Sequence, residues 1–394
     1  MLLAVKGLQT SVGLSPRAPA LPRIATMQSF DVEVRGAGIV GKSLALSLAA
    51  LGLDVALRGA PASGDDVRAY ALSPSSIELL RRLCVWDALA ADARTAVHDI
   101  VVHGDEAGAV LEFSAWQQCV AELAVITDAG ALERALGAAI GGATRVVRVD
   151  VDVDAALVAH CEGRAAATLR SLGAATTFER SDTGQRAIAA RLVASLPHRH
   201  VARQWFRSPD VLALLPFDRP QRERSYALVW SLPRERAEAL LALEAGAFEH
   251  ELAAIAGSDA GALSLASERA AWPLVVGGAA AWSGPGWVLV GDAAHVVHPL
   301  AGQGLNLGLA DVAALTAVVA GREPWRAVGD ERLLRRYERQ RAAPTWAMRQ
   351  MTDGLLRLFA ASSAPIRELR NNGMGLVNRV PPLKRWLTGR ALDS

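Results

Sequence analysis

A glycine-rich stretch late in the chain combines residue types that bind the polyol or phosphate part of a ligand. It runs from Gly291 to Asp311 with the sequence GDAAHVVHPLAGQGLNLGLAD, directly after the apolar segment 287–290. A strand, an acidic turn, a glycine-rich loop and a helix start in this order present backbone N–H groups to a ligand. The stretch therefore predicts a cofactor site. Its candidate contacts are Asp292, which would accept ligand hydroxyls, and Pro299, Gly302, Gly304, Leu305 and Asn306.

A second glycine pattern lies near the start of the chain. A strand candidate at residues 31–35 leads into the sequence GAGIVG and then into a helical stretch. In this spacing Gly36 allows a tight turn, Gly38 lets a pyrophosphate approach the helix N-terminus, and Gly41 allows close packing of helix on strand. The pattern predicts a dinucleotide-binding βαβ unit.

Together the two patterns resemble the single-component flavin-dependent aromatic hydroxylases, which have the para-hydroxybenzoate hydroxylase fold. Residues 66–73, with the sequence DVRAYALS, and the helical residues 76–83 are similar more narrowly to the ubiquinone-biosynthesis hydroxylases. The resemblance extends from about Ser29 to the C-terminus. It implies an α/β fold in which a Rossmann-like FAD-binding domain is interleaved with an antiparallel β-sheet substrate domain and followed by C-terminal helices.

The resemblance and the residue patterns together suggest a division of the chain. We expect a disordered leader at residues 1–26, an FAD-binding domain in two parts at 27–173 and 284–330, a β-sheet substrate domain at 174–283, and a C-terminal helical region at 331–394. The strand candidates of the substrate domain are 185–193, 201–206, 211–215 and 226–232, with one covering helix at 234–255. In the first part we expect a hairpin of 100–103 with 110–113, a helix near 127–139 capped by Asp128, and a strand at 155–160.

The resemblance also assigns roles to single residues. Arg68 matches a family arginine beside the flavin, where it would pair with phosphate or the isoalloxazine edge; the alternative is a solvated loop arginine. Glu162 stands where the family has an aspartate that contacts flavin and nicotinamide pyrophosphates, and it keeps the charge. His298 is the candidate catalytic residue for proton handling, with a structural histidine as the alternative. The aromatic pocket candidates, which are equally explained as sheet core, are Trp205, Phe206, Leu215 and Pro216.

Arg58 departs from the usual dinucleotide pattern. The second strand normally ends in Asp or Glu, which accepts the adenosine ribose hydroxyls, whereas an arginine suits a 2′-phosphate. Taken alone, Arg58 favours NADP, but the late glycine-rich stretch favours FAD because nicotinamide enzymes do not need it. We interpret the combination as an FAD site with weakened ribose recognition, assisted by Asp65 or Asp66.

The family resemblance implies hydroxylation of an aromatic ring. Reduced flavin would combine with O2 to give a C4a-hydroperoxide, and the electrons would come from NAD(P)H or a reductase. We expect a polyprenyl phenol of ubiquinone biosynthesis as the substrate. Two alternatives remain open, namely a flavin monooxygenase for a soluble aromatic acid and a non-catalytic scaffold subunit of a biosynthetic protein complex.

Composition narrows the class of protein further. The chain has 394 residues, 51% of them hydrophobic, and its net charge of +2 argues against a nucleic-acid-binding surface. Three separated cysteines without a CxxC pattern predict buried free thiols and no metal site. The sequence contains no apolar run long enough to predict a membrane span, so we expect a cytoplasmic protein. The basic segment 365–394 suggests peripheral contact with the inner membrane, with a solvated helix or a partner-docking face as alternatives.

Overall fold

The computed structural model describes residues 29–60, 66–104, 110–163, 172, 175–298 and 303–360. Several predicted features lie outside these ranges: the leader, Asp65, the basic C-terminal segment, and the candidate contacts Pro299 and Gly302.

The described part of the chain alternates strands and helices. The strands are β1 (Phe30–Arg35), β2 (Val55–Arg58), β3 (Ala69–Leu72), β4 (Arg94–Val97), β5 (Asp99–His103), β6 (Val110–Ser114), β7 (Ala124–Asp128), β8 (Val146–Val149), β9 (Ala155–His160), β10 (Phe178–Ala194), β11 (Val201–Arg207), β12 (Asp210–Phe217), β13 (Ser225–Pro233), β14 (Leu263–Leu265), β15 (Ala270–Ala279), β16 (Ser283–Gly284), β17 (Trp287–Leu289) and β18 (His295–Val296). The helices are α1 (Ile39–Ala50), α2 (Pro74–Arg82), α3 (Ala115–Gln118), α4 (Ala129–Gly142), α5 (Arg234–Ala242), α6 (Ala245–Ala256), α7 (Gln303–Ala320) and α8 (Glu331–Ala360).

A mostly parallel sheet contains the first glycine turn. Its strand order is β16-β17-β9-β1-β2-β8, and all neighbours are parallel except β16 and β17. The five parallel strands follow the 3-2-1-4-5 order of dinucleotide-binding sheets, in which the ligand lies at the carboxyl ends where the strand order reverses. That point falls between β1 and β9. The α/β fold expected from the sequence is confirmed.

Helix α1 is buried among the sheet and two other helices. Its sequence, IVGKSLALSLAA, is apolar on most sides, as a helix surrounded by protein requires. Val40 packs against two glycines of the late glycine-rich stretch. A Cβ atom on Gly308 would lie 2.8 Å from Val40 Cγ2, and one on Gly291 would lie 3.3 Å from Val40 Cγ1. The two glycine-containing segments of the sequence therefore touch through this helix.

A nine-stranded sheet carries the β-rich middle of the chain, in the order β18-β15-β10-β13-β12-β11-β5-β6 with β14 beside β10. The four strands predicted here, β10 to β13, pair antiparallel as expected. The predicted hairpin of β5 and β6 also forms, and β5 extends this sheet by pairing parallel with β11. One face of the sheet is covered by α5 and α6, where Trp230, Tyr226 and Phe248 are fully buried.

The covering helix predicted as one element at 234–255 is two helices. Leu243 and Glu244 are extended, so α5 ends before α6 begins. Arg269 explains the break because its guanidinium donates to the Leu240 carbonyl at 3.1 Å and the Leu243 carbonyl at 2.8 Å, where a continuous helix would use these groups internally. A single helix was predicted because the local pattern of residues 234–255 does not show that Arg269 binds these carbonyl groups.

The helix predicted near 127–139 begins at Ala129, because residues 124–128 form strand β7 between β3 and β4. Asp128 caps the helix as predicted, since its side chain accepts a hydrogen bond from the Ala131 N–H at 2.7 Å. The three cysteines are free, but the prediction that they are buried was wrong for Cys84 and Cys119, which are exposed.

The packing of α1 predicts a clear contrast between two glycine substitutions. In Gly41→Ala the new Cβ would lie 1.8 Å from the Gly36 carbonyl oxygen, so the turn before α1 must move. We expect the free energy of unfolding to fall by about 3 kcal/mol. In Gly137→Ala, within α4, the new Cβ meets nothing within 4 Å, and we expect a gain of about 0.5–1 kcal/mol from the better helix former.

Urea denaturation of both variants measures this contrast. Equal stabilities for the Gly41→Ala variant and the unaltered protein would contradict the close packing.

Candidate active site

The first glycine turn joins three strand ends. Gly36 has a φ of +109°, and a Cβ there would lie 2.4 Å from the Cys161 carbonyl carbon and oxygen. Its N–H donates to the Arg58 carbonyl at the end of β2, at 2.7 Å. Gly36 is thus needed for the approach of β1 and β9, and Gly41 for the approach of α1 to the same turn.

Gly38 has a different environment from its two neighbours in the pattern. It is exposed, it is the N-cap of α1, and no side chain caps the helix. A Cβ at Gly38 would meet only Glu133 Oε1, at 3.9 Å. The start of α1 therefore lacks a side-chain cap and lies at the switch point of the sheet, an arrangement that suits a phosphate.

Lys42 and Glu133 form an ion pair beside this helix start. Lys42 is almost completely buried in α1 and Glu133 belongs to α4. Burying an ammonium group is costly unless it is paired, so the pair ties the two helices together next to the open helix N-terminus.

Arg58 is held by acidic side chains. Its Nε lies 3.3 Å from Oε1 of Glu33, a fully buried residue of β1, and its Nη1 contacts Asp152. Arg35 joins the same group, with Nη2 at 2.8 Å from Glu33 Oε2 and 2.7 Å from Asp152 Oδ1. Burial lowers the pKa of Arg35, but Glu33 and Asp152 outweigh it and leave that pKa raised. Asp66, one of the two residues expected to assist ribose recognition, forms an ion pair with Arg68.

Glu162 follows β9 beside the turn. Its backbone N would lie 2.7 Å from a Cβ on Gly36, so the residue borders the switch point. Its carboxylate Oε2 lies 3.0 Å from Nδ1 of the buried His160. The residue is therefore placed at the predicted site, with its side chain held by a neighbour on the same strand end.

Asp311 organises the start of the late glycine-rich stretch. Its fully buried carboxylate accepts from the Gly291 N–H at 3.0 Å, from His295 Nε2 at 2.6 Å and from Arg341 Nε at 2.7 Å. Burial alone would raise the pKa of Asp311, but the charges and hydrogen bonds of His295 and Arg341 leave it lowered. In the sequence Asp311 marks only the end of the glycine-rich stretch, and no local pattern connects it with Arg341, which lies in α8.

This network fixes the acidic turn of the site. Gly291, with a φ of +64°, and Asp292 form a 3-10 turn directly after β17 and Val290. Asp292 is half-buried there, and β17 lies next to β9 in the parallel sheet. The predicted acceptor carboxylate is thus at the same carboxyl edge as Gly36.

The N-terminal turn of α7 carries three more predicted contacts. Gly304 has open space where a Cβ would lie, and Leu305 packs partly buried against the core. The Asn306 side chain binds the protein itself: Oδ1 accepts from the Ser73 N–H at 3.0 Å and the Ser76 hydroxyl at 2.8 Å, and Nδ2 donates to the Ala71 carbonyl at 2.8 Å. Asn306 therefore fixes the start of α7 against the segment that follows Arg68.

Arg68 lies on the segment before β3. Its guanidinium pairs with Asp66, with Nη2 and Oδ2 2.6 Å apart, and lies 5.5 Å from the Trp272 ring and 5.8 Å from the Tyr70 ring. The hydrogen bond to Asp66 raises the pKa of Arg68, and the side chain is about half exposed at 47%. It is ordered between aromatic rings while part of its surface stays open to a ligand.

His298 is buried at the end of the described part of the late stretch. Its exposure is 1%, and Nε2 lies 3.2 Å from Gln185 Oε1 on β10. Nδ1 is buried without a hydrogen-bond partner among the described residues. Burial lowers the pKa of His298 to about 4, so the ring is neutral at pH 7.

The four pocket candidates are separated by the sheet. Trp205 is buried in the core under α5 and α6 and stacks on His103, with ring centroids 5.2 Å apart. Phe206 packs with Val211 in a small cluster, and Leu215 is partly buried on the opposite face. Trp205 is therefore a residue of the sheet core, as the alternative to a pocket residue predicted. Within the described ranges, no group of three or more metal-ligating side chains lies together.

The geometry fits an FAD molecule. An uncapped helix N-terminus suits the pyrophosphate, a half-buried carboxylate and an open Gly304 suit the ribityl chain, and an arginine between aromatic rings suits the flavin edge. The helix N-terminus and Asp292 lie at the carboxyl edge of the parallel sheet, and Asn306 joins the start of α7 to the segment that follows Arg68.

Comparison with known proteins agrees with this geometry. A match to the family described as "FAD binding domain" covers residues 139–352. The chain is 31% identical to ubiquinone hydroxylase UbiL of Rhodospirillum rubrum over 92% of this chain and 90% of the relative. It is 29% identical to 3-demethoxyubiquinol 3-hydroxylase of Escherichia coli over 93% of this chain and 99% of the relative.

Solved structures share the fold at lower identity. A variant of Pseudomonas aeruginosa PqsL matches with a TM-score of 0.73 at 20% identity, covering 88% of this chain and all of that one. The p-nitrophenol 4-monooxygenase PnpA of Pseudomonas putida matches with a TM-score of 0.73 at 16% identity, covering 93% of this chain and 99% of that one. The chain belongs to the FAD-binding-domain family, and within it to the FAD-dependent monooxygenases that include ubiquinone hydroxylase.

Proposed function

We propose that this monooxygenase hydroxylates the ring of a polyprenyl phenol on the route to ubiquinone. The observation that carries the proposal is the contact of the two glycine segments through Val40, which brings Gly38 and Asp292 to one edge of the parallel sheet. The relatives named for ubiquinone hydroxylation align with almost the whole chain, which supports the same substrate class.

Named residues would hold the cofactor. The N-terminus of α1 at Gly38 would bind the pyrophosphate, and Asp292 with the start of α7 would bind the ribityl chain. Arg68 would contact the flavin edge or phosphate, with Asp66 fixing its orientation. Bound FAD would supply the activation of O2 that ring hydroxylation needs. NAD(P)H or a separate reductase is the proposed electron source.

The face of the nine-stranded sheet opposite α5 and α6 suits an aromatic ring. Tyr226 and Trp230 of β13 point under the helices, so Val229 between them points to the other face, where it is only half-buried. Ala213 and Leu215 alternate in the same way on β12. These apolar side chains are available to a ring because water-accessible area remains on them, and burying it would favour binding.

His298 belongs to the late glycine-rich stretch and contacts Gln185 of β10, a strand of the nine-stranded sheet. If Gln185 Oε1 accepts the Nε2 hydrogen, Nδ1 carries the lone pair. A neutral histidine with an unpaired buried lone pair can accept a hydrogen bond from a hydroxyl of the ring and orient it. We propose this role for His298, rather than one as an acid, because its lowered pKa leaves almost no protonated form at pH 7.

Membrane contact of the basic segment 365–394 belongs to this proposal as the way to reach a lipid-borne substrate. None of the helices in the described ranges is long and apolar enough to cross a membrane. Flotation of full-length protein with anionic vesicles checks the contact, and failure to float would remove it.

The test of substrate class compares a polyprenyl phenol with a soluble aromatic acid. With FAD, NADH or NADPH, a flavin reductase and isotopically labelled O2, we expect one labelled oxygen atom in the ring of a polyprenyl phenol, and little in a soluble aromatic acid. Mass spectrometry of the products measures this. Labelling of the soluble acid alone would favour the alternative substrate, and absence of any labelled product despite bound flavin would favour a non-catalytic scaffold.

The buried state of His298 predicts a pH dependence of stability. Its pKa is about 4 in the folded protein, compared with the ordinary histidine value of 6.5 that we take for the unfolded chain, so folding favours the neutral form. The contribution of neutral His298 to the free energy of unfolding is complete above pH 6.5. It is lost as the pH falls toward 4, and the free energy of unfolding then falls by about 3 kcal/mol. His298→Gln should flatten this part of the pH profile of the unfolding free energy.

His250→Gln provides the matched control because His250 is exposed on α6. Urea denaturation between pH 4 and pH 7 gives the profiles. A His298→Gln profile as steep as that of the His250→Gln variant would contradict the buried neutral state.

A further inference from the structure

The connection between β8 and β9 is unusually short for its path. These strands are parallel members of one sheet and are separated by β2 and β1, yet only residues 150–154 join them. Parallel crossovers normally take a dozen or more residues and include a helix. The short connection passes from the carboxyl ends of the strands, where Asp152 contacts Arg35, to the amino end of β1, where the Asp154 carbonyl accepts from the Phe30 N–H at 2.9 Å.

This path places Asp152 at the end of β2. Arg58 occupies the position at which a dinucleotide-binding strand normally presents an acidic side chain. The Arg58 guanidinium contacts both Glu33 and Asp152, so it already has two carboxylate partners. The group formed by Arg35, Arg58, Glu33 and Asp152 has no net charge, and it offers no unpaired guanidinium to a 2′-phosphate.

Asp152 has the most solvent-exposed side chain of this group. Its side chain is 72% exposed, compared with 25% for Arg58 and 0% for Glu33. Oδ1 receives both arginines, and a carboxylate has further lone pairs on its second oxygen. The contacts with the two arginines orient this carboxylate beside the end of β2. A hydroxyl donor at that edge would find an acceptor there although the usual acidic residue is missing.

We propose that Asp152 accepts a hydrogen bond from the adenosine ribose of FAD, in place of the carboxylate that usually ends the second strand. Arg58 is then a positioning residue for Asp152 and not a 2′-phosphate ligand. The inference rests on the proposed function because it assumes that FAD occupies the switch point. It replaces the weakened ribose recognition expected from the sequence with recognition by a different strand connection.

The test removes the Asp152 carboxylate and the 2′-hydroxyl of the adenosine ribose, separately and together. Fluorescence titration measures the affinity of the unaltered protein, Asp152→Asn and Asp150→Asn for FAD and for FAD that contains 2′-deoxyadenosine. Asp150 is the matched control because it is exposed in the same connection and carries the same charge. The unaltered protein and the Asp150→Asn variant should each bind the deoxy cofactor about 10-fold more weakly than FAD.

The Asp152→Asn variant should bind FAD about 10-fold more weakly and discriminate little between the two cofactors. A general disturbance of the loop would weaken both cofactors equally, so an unchanged ratio in Asp152→Asn overturns the proposal even if affinity falls. Absence of FAD binding by the unaltered protein would overturn the proposed function as well. Normal FAD binding with no preference over the deoxy cofactor would overturn only the role of Asp152.

Discussion

The buried carboxylate of Asp311 is the interaction on which the site depends. A buried charge is costly unless it is paired and hydrogen-bonded, and Asp311 has the Gly291 N–H, His295 and Arg341 as partners. Because these groups come from the acidic turn, from β18 and from α8, the carboxylate fixes three segments at once. Asp292 and the first turn of α7 hold their places at the sheet edge through this arrangement.

Glycines complete the same arrangement by allowing backbones to approach. Val40 fits against Gly291 and Gly308, and Gly36 fits against the Cys161 carbonyl, so a side chain at these glycines would separate the elements. The open position is Gly38, where space remains for a ligand. The pattern GxGxxG thus combines two packing positions, Gly36 and Gly41, with one open position, Gly38, at which we propose that the cofactor binds.

The sequence predicted the local parts of this structure well. The β9 strand has the predicted bounds, Asp128 caps α4, and the two glycine segments meet as an FAD-binding chain should. The first two features depend on residues close in sequence, whereas the meeting of the two distant glycine segments was expected from the family resemblance.

Features that depend on distant partners were not predictable in this way. Arg269 breaks the covering helix from far along the chain, Asn306 binds the Ser73 segment, and the partners of Arg58 come from β1 and from the β8–β9 connection. Trp205 illustrates a simpler limit, because a strand pattern shows that alternate residues share a face but does not show which face meets the ligand. The pairing of β5 with β11 likewise joins segments that no local signal connects.

The central claim is that the two glycine segments form one FAD site. The most direct measurement is the visible absorption spectrum of the purified protein before and after addition of excess FAD, with the released cofactor identified. We expect flavin bands at close to one FAD per chain, and their loss in the Gly38→Asp variant, since a side chain and a negative charge would then occupy the helix N-terminus. A protein that binds no flavin even in excess FAD would contradict the presence of this site.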